Sequence, residues 1–130
     1  MKEELLKKYE NIMQTKDICV GDGWVPLVEQ ALRLAEDYTS RGNIIRFLQV
    51  KEKFAALCIH ISGKFTENEV ASKFYKEMGE IYIAASKTCE KCGSTENVKI
   101  DDSAYWVKTL CPSCTENRKQ ERKTRQNVLP

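Results

Sequence analysis

The sequence predicts an α+β fold: two N-terminal helices, a small antiparallel β-hairpin, a long helix, a C-terminal ribbon of cysteine-bearing strands and a polar basic tail. Three observations carry that expectation. Apolar residues recur at helical spacing over 2–13, 24–38 and 70–85. Two apolar runs, 44–50 and 54–61, lie a few residues apart. Two Cys-x2-Cys pairs then stand close to the C-terminal end. With 130 residues, 42% hydrophobic and 31% charged, the chain is sized for one domain with a real core and is too apolar for disorder throughout.

The first helix is expected over 2–13, with Leu5, Leu6, Tyr9, Ile12 and Met13 on one face. Gly21-Asp-Gly23 breaks the pattern before Trp24-Val-Pro26 opens a second helix, Pro26 sitting in the first turn where its missing N–H costs nothing. Leu27, Val28, Ala31, Leu32, Leu34, Ala35 and Tyr38 form its buried face, and Gly42 stops it. The run 44–50 is β-branched and aromatic, hence a strand. It pairs with 54–61 through a polar tip at Lys51-Glu-Lys53. Thr66-Glu-Asn-Glu69 reads as a capping box ahead of a helix packed through Val70, Phe74, Met78, Ile81 and Ala85.

Chemistry concentrates in the cysteines. Cys89 and Cys92 form one Cys-x2-Cys knuckle, Cys111 and Cys114 another, and eighteen residues separate the two. That spacing suits a four-cysteine zinc site, each knuckle supplying one edge of a tetrahedron. Gly93 provides permissive backbone after the first knuckle and Pro112 stiffens the second. Between them 98–100 and 105–110 flank Asp101-Asp-Ser103 as a hairpin, so the segment reads as a zinc ribbon holding a structural Zn2+. The expected organisation is a body over 1–87, a zinc ribbon over 88–114 packed on it, and a basic tail over 115–130, helical or disordered.

Four thiolates fill the coordination shell and leave no place for water or substrate. The one histidine, His60, lies among strand residues and lacks a base or acid partner in sequence. No catalytic residue is therefore expected, and the chain is read as a non-enzyme. Cys19 and Cys58, among apolar neighbours, are expected to be buried free thiols. The longest apolar run, Phe54 to Ile59, is far short of the about 20 residues that span a bilayer, so no membrane partner is expected. Acidic residues stand where a signal peptide would be apolar, and cytoplasmic location is the expectation.

Net charge is +2 overall, but its distribution is uneven. Arg118, Lys119, Arg122, Lys123 and Arg125 against Glu116 and Glu121 make the tail basic and leave the rest near neutral. Such a tail suits nucleic acid as an alternative partner, contacted through Arg118, Lys119, Arg122 and Lys123.

Four stretches together, Gly23-Trp24 with Leu27 and Leu32, Gln49-Val-Lys-Glu-Lys-Phe54 with Leu57, Cys89-Glu-Lys-Cys-Gly93, and Trp106-Val-Lys-Thr-Leu-Cys111, resemble a family of small phage and prophage proteins. That family follows its Lys-Glu-Lys-Phe segment with glycines and a Leu-Arg-aromatic strand, where this chain has Ala55, Ala56, Cys58 and Ile59. The resemblance implies an accessory protein that binds a host protein or complex, including components of bacterial defence systems. In that reading Trp24, Lys51, Lys53, Tyr105 and Trp106 are the candidate anchors, although both tryptophans are read first as core. The sequence assigns no oligomeric state.

Overall fold

The computed structural model describes residues 1–128, with side chains described through residue 125; positions 129–130 of the expected tail lie outside them. The first helix, α1 (Lys2–Lys8), is shorter than its apolar spacing suggests. The backbone turns at Tyr9, and residues 12–20 then run beside the first strand instead of continuing the helix. Phe47 N–H donates to the Ile12 carbonyl at 2.7 Å, and Gln14 N–H to the Phe47 carbonyl at 3.0 Å. Further along, Cys19 N–H reaches the Val50 carbonyl at 2.9 Å. Ile12 and Met13 are thus buried by the sheet, a tertiary demand that overrides helical propensity.

A single 3-10 turn (Asp22–Trp24) feeds α2 (Val25–Ser40), with Pro26 in its first turn. Gly42 ends it with φ +94°, a left-handed conformation suited to glycine. Strands β1 (Ile44–Lys53) and β2 (Ala56–Lys64) pair antiparallel from Ile44↔Lys64 to Lys53↔Ala56, with a bulge between Phe47 and Gln49. Lys51-Glu-Lys53 is therefore strand rather than tip. The turn itself is Phe54-Ala55, two residues with φ of 52° and 66°. Positive φ at both central positions makes a turn whose twist matches its strands, although Asn-Gly is the usual sequence for it.

Helix α3 (Asn68–Ser86) begins two residues later than the expected hydroxyl cap. Thr66 stays in the extended exit from β2, its N–H donated to Asn43 Oδ1 at 2.9 Å, while Asn43 Nδ2 donates to the Tyr38 carbonyl at 2.9 Å. Buried Asn43 so ties the end of α2 to the entry of α3, and the helix starts from Glu67 without a side-chain cap. The core between these elements is built on fully buried Tyr9, Trp24, Tyr38, Phe47 and Phe74. Tyr38 and Phe74 meet edge to face with centroids 5.1 Å apart.

A second, short antiparallel pair follows, β3 (Lys99–Asp101) with β4 (Lys108–Leu110). Helix α4 (Pro112–Val128) starts inside the second cysteine knuckle, so the expected tail is helix as far as it is described and is continuous with the ribbon. Among the described residues, no helix is long and apolar enough to cross a membrane.

Candidate metal centre

The Sγ atoms of Cys89, Cys92, Cys111 and Cys114 all lie within 4.8 Å of one another. Each knuckle is shaped by its own backbone. Gly93 N–H donates to the Cys89 carbonyl at 2.9 Å, and Gly93 takes φ +84° as the chain reverses. Cys89 N–H donates to the Ser94 carbonyl at 2.8 Å, closing the loop from the other side. In the second knuckle, Cys114 N–H points at Cys111 Sγ at 3.4 Å within the first turn of α4. Ser94 N–H likewise approaches Cys92 Sγ at 3.5 Å. N–H groups aimed at sulfur stabilise thiolate, the form that binds metal.

Cys89 and Cys114 differ in acidity. Burial pushes the Cys89 thiol up, but N–H groups of Cys111, Cys92 and Lys91 outweigh it and bring it down to about 7. Burial, reinforced by the other three thiols, pushes Cys114 well up. Four sulfurs this close cannot all be anionic unless a cation sits among them. Three of the cysteines are buried and Cys92 is exposed, a closed thiol tetrad consistent with a structural Zn2+ site.

The centre is attached to the body through its first knuckle. Gly23 N–H donates to the Glu90 carbonyl at 2.8 Å, Gly21 N–H to Glu90 Oε2 at 3.0 Å, and Trp24 Nε1 to the Thr88 carbonyl at 2.8 Å. The approach is so close that a Cβ on Gly23 would fall 2.1 Å from the Cys89 carbonyl oxygen. Gly21-Asp-Gly23-Trp24 is the seat of the knuckle, not merely a break between helices. Trp24 is therefore fully buried and is no surface anchor. The hairpin turn makes the second attachment: Thr109 Oγ1 donates to the Ala55 carbonyl at 2.7 Å and Trp106 Nε1 to Glu52 Oε1 at 2.9 Å.

The basic residues of α4 divide into two groups. Arg118 Nη1 donates to Asp101 Oδ2 at 2.8 Å, and its Nη2 to the Trp106 carbonyl. Arg122 donates to the Ser103 carbonyl at 2.6 Å and to Ser103 Oγ at 2.9 Å. These two guanidiniums clamp the loop between β3 and β4, Arg118 through an ion pair with Asp101 and Arg122 through the neutral Ser103. Burial raises the Asp101 carboxyl, but Ser103 and then Arg118 outweigh it and hold it below its ordinary value. Lys119, Lys123 and Arg125 remain exposed.

The other candidates separate as well. Lys53 is exposed and Lys51 half-buried, both on β1 rather than at a tip. Tyr105 and Trp106 are exposed on the β3–β4 loop. Cys19 is exposed and Cys58 half-buried, not buried as expected. Both pair with Lys51, on the row next to core residues Val50 and Ile59, and alternation turns that row outward. Phe54, read from sequence as part of an apolar strand, is 79% exposed at the turn. It stands at the first position of the two-residue turn, beyond the last strand pair Lys53↔Ala56.

Fold and site together define a small α+β protein carrying a zinc-ribbon-like module with a four-cysteine metal centre. Comparison of the chain with protein-family models, curated proteins and solved structures gives no match.

Proposed function

We propose that this chain is a non-enzymatic, zinc-containing accessory protein of the phage type, working in the host cytoplasm by binding a host protein or complex, such as a component of a defence system. One observation supports this most strongly. Phe54, Tyr105 and Trp106 are 79%, 101% and 60% exposed at the end of the molecule where the hairpin turn meets the ribbon loop. The Trp106 indole is held by Glu52 and its carbonyl by Arg118, and the turn that carries Phe54 is tied down through the Thr109–Ala55 hydrogen bond. Rigid exposed aromatics lose little entropy on docking and are favoured anchors in protein interfaces. A saturated thiolate tetrad offers no open coordination position, which favours a scaffold over a catalyst.

The test is site-specific photocrosslinking from position 54 or 105 in host cytoplasm. One discrete protein adduct is expected, lost on Trp106→Ala and retained on Lys119→Glu with Lys123→Glu. No adduct from either position would overturn the reading. The nucleic-acid alternative is favoured by Lys119, Lys123 and Arg125 on the exposed side of α4. In that case the double charge reversal abolishes binding and affinity falls steeply with salt. Deleting the tail would not discriminate, because Arg118 and Arg122 hold the ribbon loop.

A further inference from the structure

Between the body and the ribbon lies a cavity of about 670 Å³, walled by Asp22, Glu52, Glu90, Trp106, Lys108 and Lys2. We propose that this cavity is a binding site for a guanidinium group, presented by an arginine side chain of the protein partner.

The strongest pointer is Glu90, whose side chain is only 5% exposed. Its Oε2 accepts from Gly21 N–H at 3.0 Å, but its buried Oε1 accepts no hydrogen bond among the described residues. The nearest cation, Lys108 Nζ, stands 3.6 Å away and is 37% exposed, too far to donate properly. A buried carboxylate oxygen without a donor is costly, so the site is chemically incomplete on the acceptor side.

Charge around the cavity leans the same way. Lys91 faces Glu121 at 3.7 Å, Arg118 is paired with Asp101, and Lys108 faces Glu90. Among the described residues Glu52 accepts only from neutral donors, Trp106 Nε1 and Ala55 N–H, and forms no ion pair. Asp22 forms no ion pair among the described residues. Against these two anions stands Lys2, whose Nζ donates to the Val20 carbonyl at 2.6 Å.

Trp106 selects the kind of cation. Its indole N–H is fixed on Glu52, so its largely exposed ring stands in the wall at a set orientation. A guanidinium is planar and weakly hydrated; it stacks on such a ring while its fork donates to a carboxylate. An ammonium is already within reach at Lys108 and does not close on Oε1. The incoming group donates to Oε1 as Lys108 swings outward. Its origin on a protein rests on the function proposed above; its chemistry does not.

The probe is N-acetyl-L-arginine amide, titrated into the zinc-loaded full chain at constant ionic strength, with the lysine analogue for comparison. Binding is followed by NMR at Gly21 N–H and the Trp106 indole N–H. Saturable shifts at both are expected, at least tenfold weaker binding of the lysine compound, and loss of the Gly21 shift on Glu90→Gln and on Trp106→Ala. Glu90→Gln touches the knuckle seat, whereas Trp106→Ala changes an exposed loop side chain and keeps the test decisive. No saturation, equal binding of the lysine compound, or persistence of the Gly21 shift in Trp106→Ala would overturn the site. A Gly-Gly-Arg-Gly-Gly peptide capped at both ends should bind more tightly than the single residue, and equal affinity would overturn the protein-borne source. Failure of the photocrosslinking with a saturating titration would sink the partner while leaving the cavity chemistry standing.

Discussion

The amide of Gly23 donates to the carbonyl of Glu90 at 2.8 Å, joining the helical body directly to the first metal knuckle, main chain to main chain. A Cβ at position 23 would stand 2.1 Å from the Cys89 carbonyl oxygen and 2.4 Å from the Gly93 nitrogen. Neither is a side-chain end that can rotate away. Gly23→Ala should therefore push the knuckle off its seat and destabilise the zinc-loaded chain by about 1–3 kcal/mol, the usual cost of overpacking. Denaturant melts of the two proteins measure this, and faster loss of zinc to a chelator should accompany it. Identical midpoints and identical zinc release would contradict the seat.

Metal removal should act on one end of the molecule. The ribbon's buried cluster is Cys89, Leu110, Cys111 and Cys114, with Val98 against it. Three of its four buried members are thiols, so little apolar packing remains when the metal leaves, and structural zinc in small modules carries about 10–16 kcal/mol of apparent binding energy. The body has its own larger core, from Leu5 to Ala85. Hydrogen exchange after chelation should show protection lost over 89–111 and kept in α2 and β1. Uniform loss across the chain would mean that the body cannot stand without its metal.

What could be read in the sequence was whatever repeats at short range. Helices α2 and α3 announce themselves because their apolar residues return every three or four positions, and the metal site because cysteines come in Cys-x2-Cys pairs. What could not be read depends on distant partners. Ile12 and Met13 keep a helical rhythm yet are held beside Phe47, far along the chain. Arg118 and Arg122 look like solvated tail charges until the β3–β4 loop folds under them. Phe54-Ala55 has none of the residues that usually mark a tight turn; the Ala55 N–H is held locally by Glu52, and the distant Thr109 hydroxyl donates to the Ala55 carbonyl.

Arg118 and Lys119 are sequence neighbours with opposite expected sensitivities. The Arg118–Asp101 pair at 2.8 Å has side chains 16% and 4% exposed, whereas Lys119 is exposed. Charge-assisted hydrogen bonds of this kind contribute about 1.5–3 kcal/mol. Arg118→Ala should lower the stability of the zinc-loaded chain by that order and loosen the Trp106 loop. Lys119→Ala should stay within about 0.5 kcal/mol of wild type. Parallel urea titrations, read by tryptophan fluorescence, check both, and equal effects would show the clamp to be idle.

Alkaline stability should depend on Tyr82. Burial, with a smaller contribution from nearby Cys58, raises its phenol from 10.0 to about 12 in the folded chain. The folded state holds the proton where the unfolded state has already lost it. Tyr82 thus contributes fully below pH 10, and its contribution is lost as pH rises from 10 towards 12. Comparing Tyr82→Phe with wild type removes the titration of the cysteines from the difference. The variant should lose less stability than wild type across that window; parallel decline would refute the assignment.

Phe54 sets stability against binding. It occupies φ 52° with 79% of its surface in water, so it contributes little to the core while holding a conformation unfavourable to an L side chain. Asparagine tolerates that region better and is common at this turn position. Phe54→Asn should stabilise the protein by about 0.5–1 kcal/mol, since left-handed strain costs roughly 1–2 kcal/mol per residue and is only partly relieved. The same change should remove the crosslinked adduct formed from position 105. Stabilisation with loss of the adduct is what a strained anchor kept for docking requires. Destabilisation, or an adduct that survives, would make Phe54 an ordinary turn residue whose exposure serves no partner.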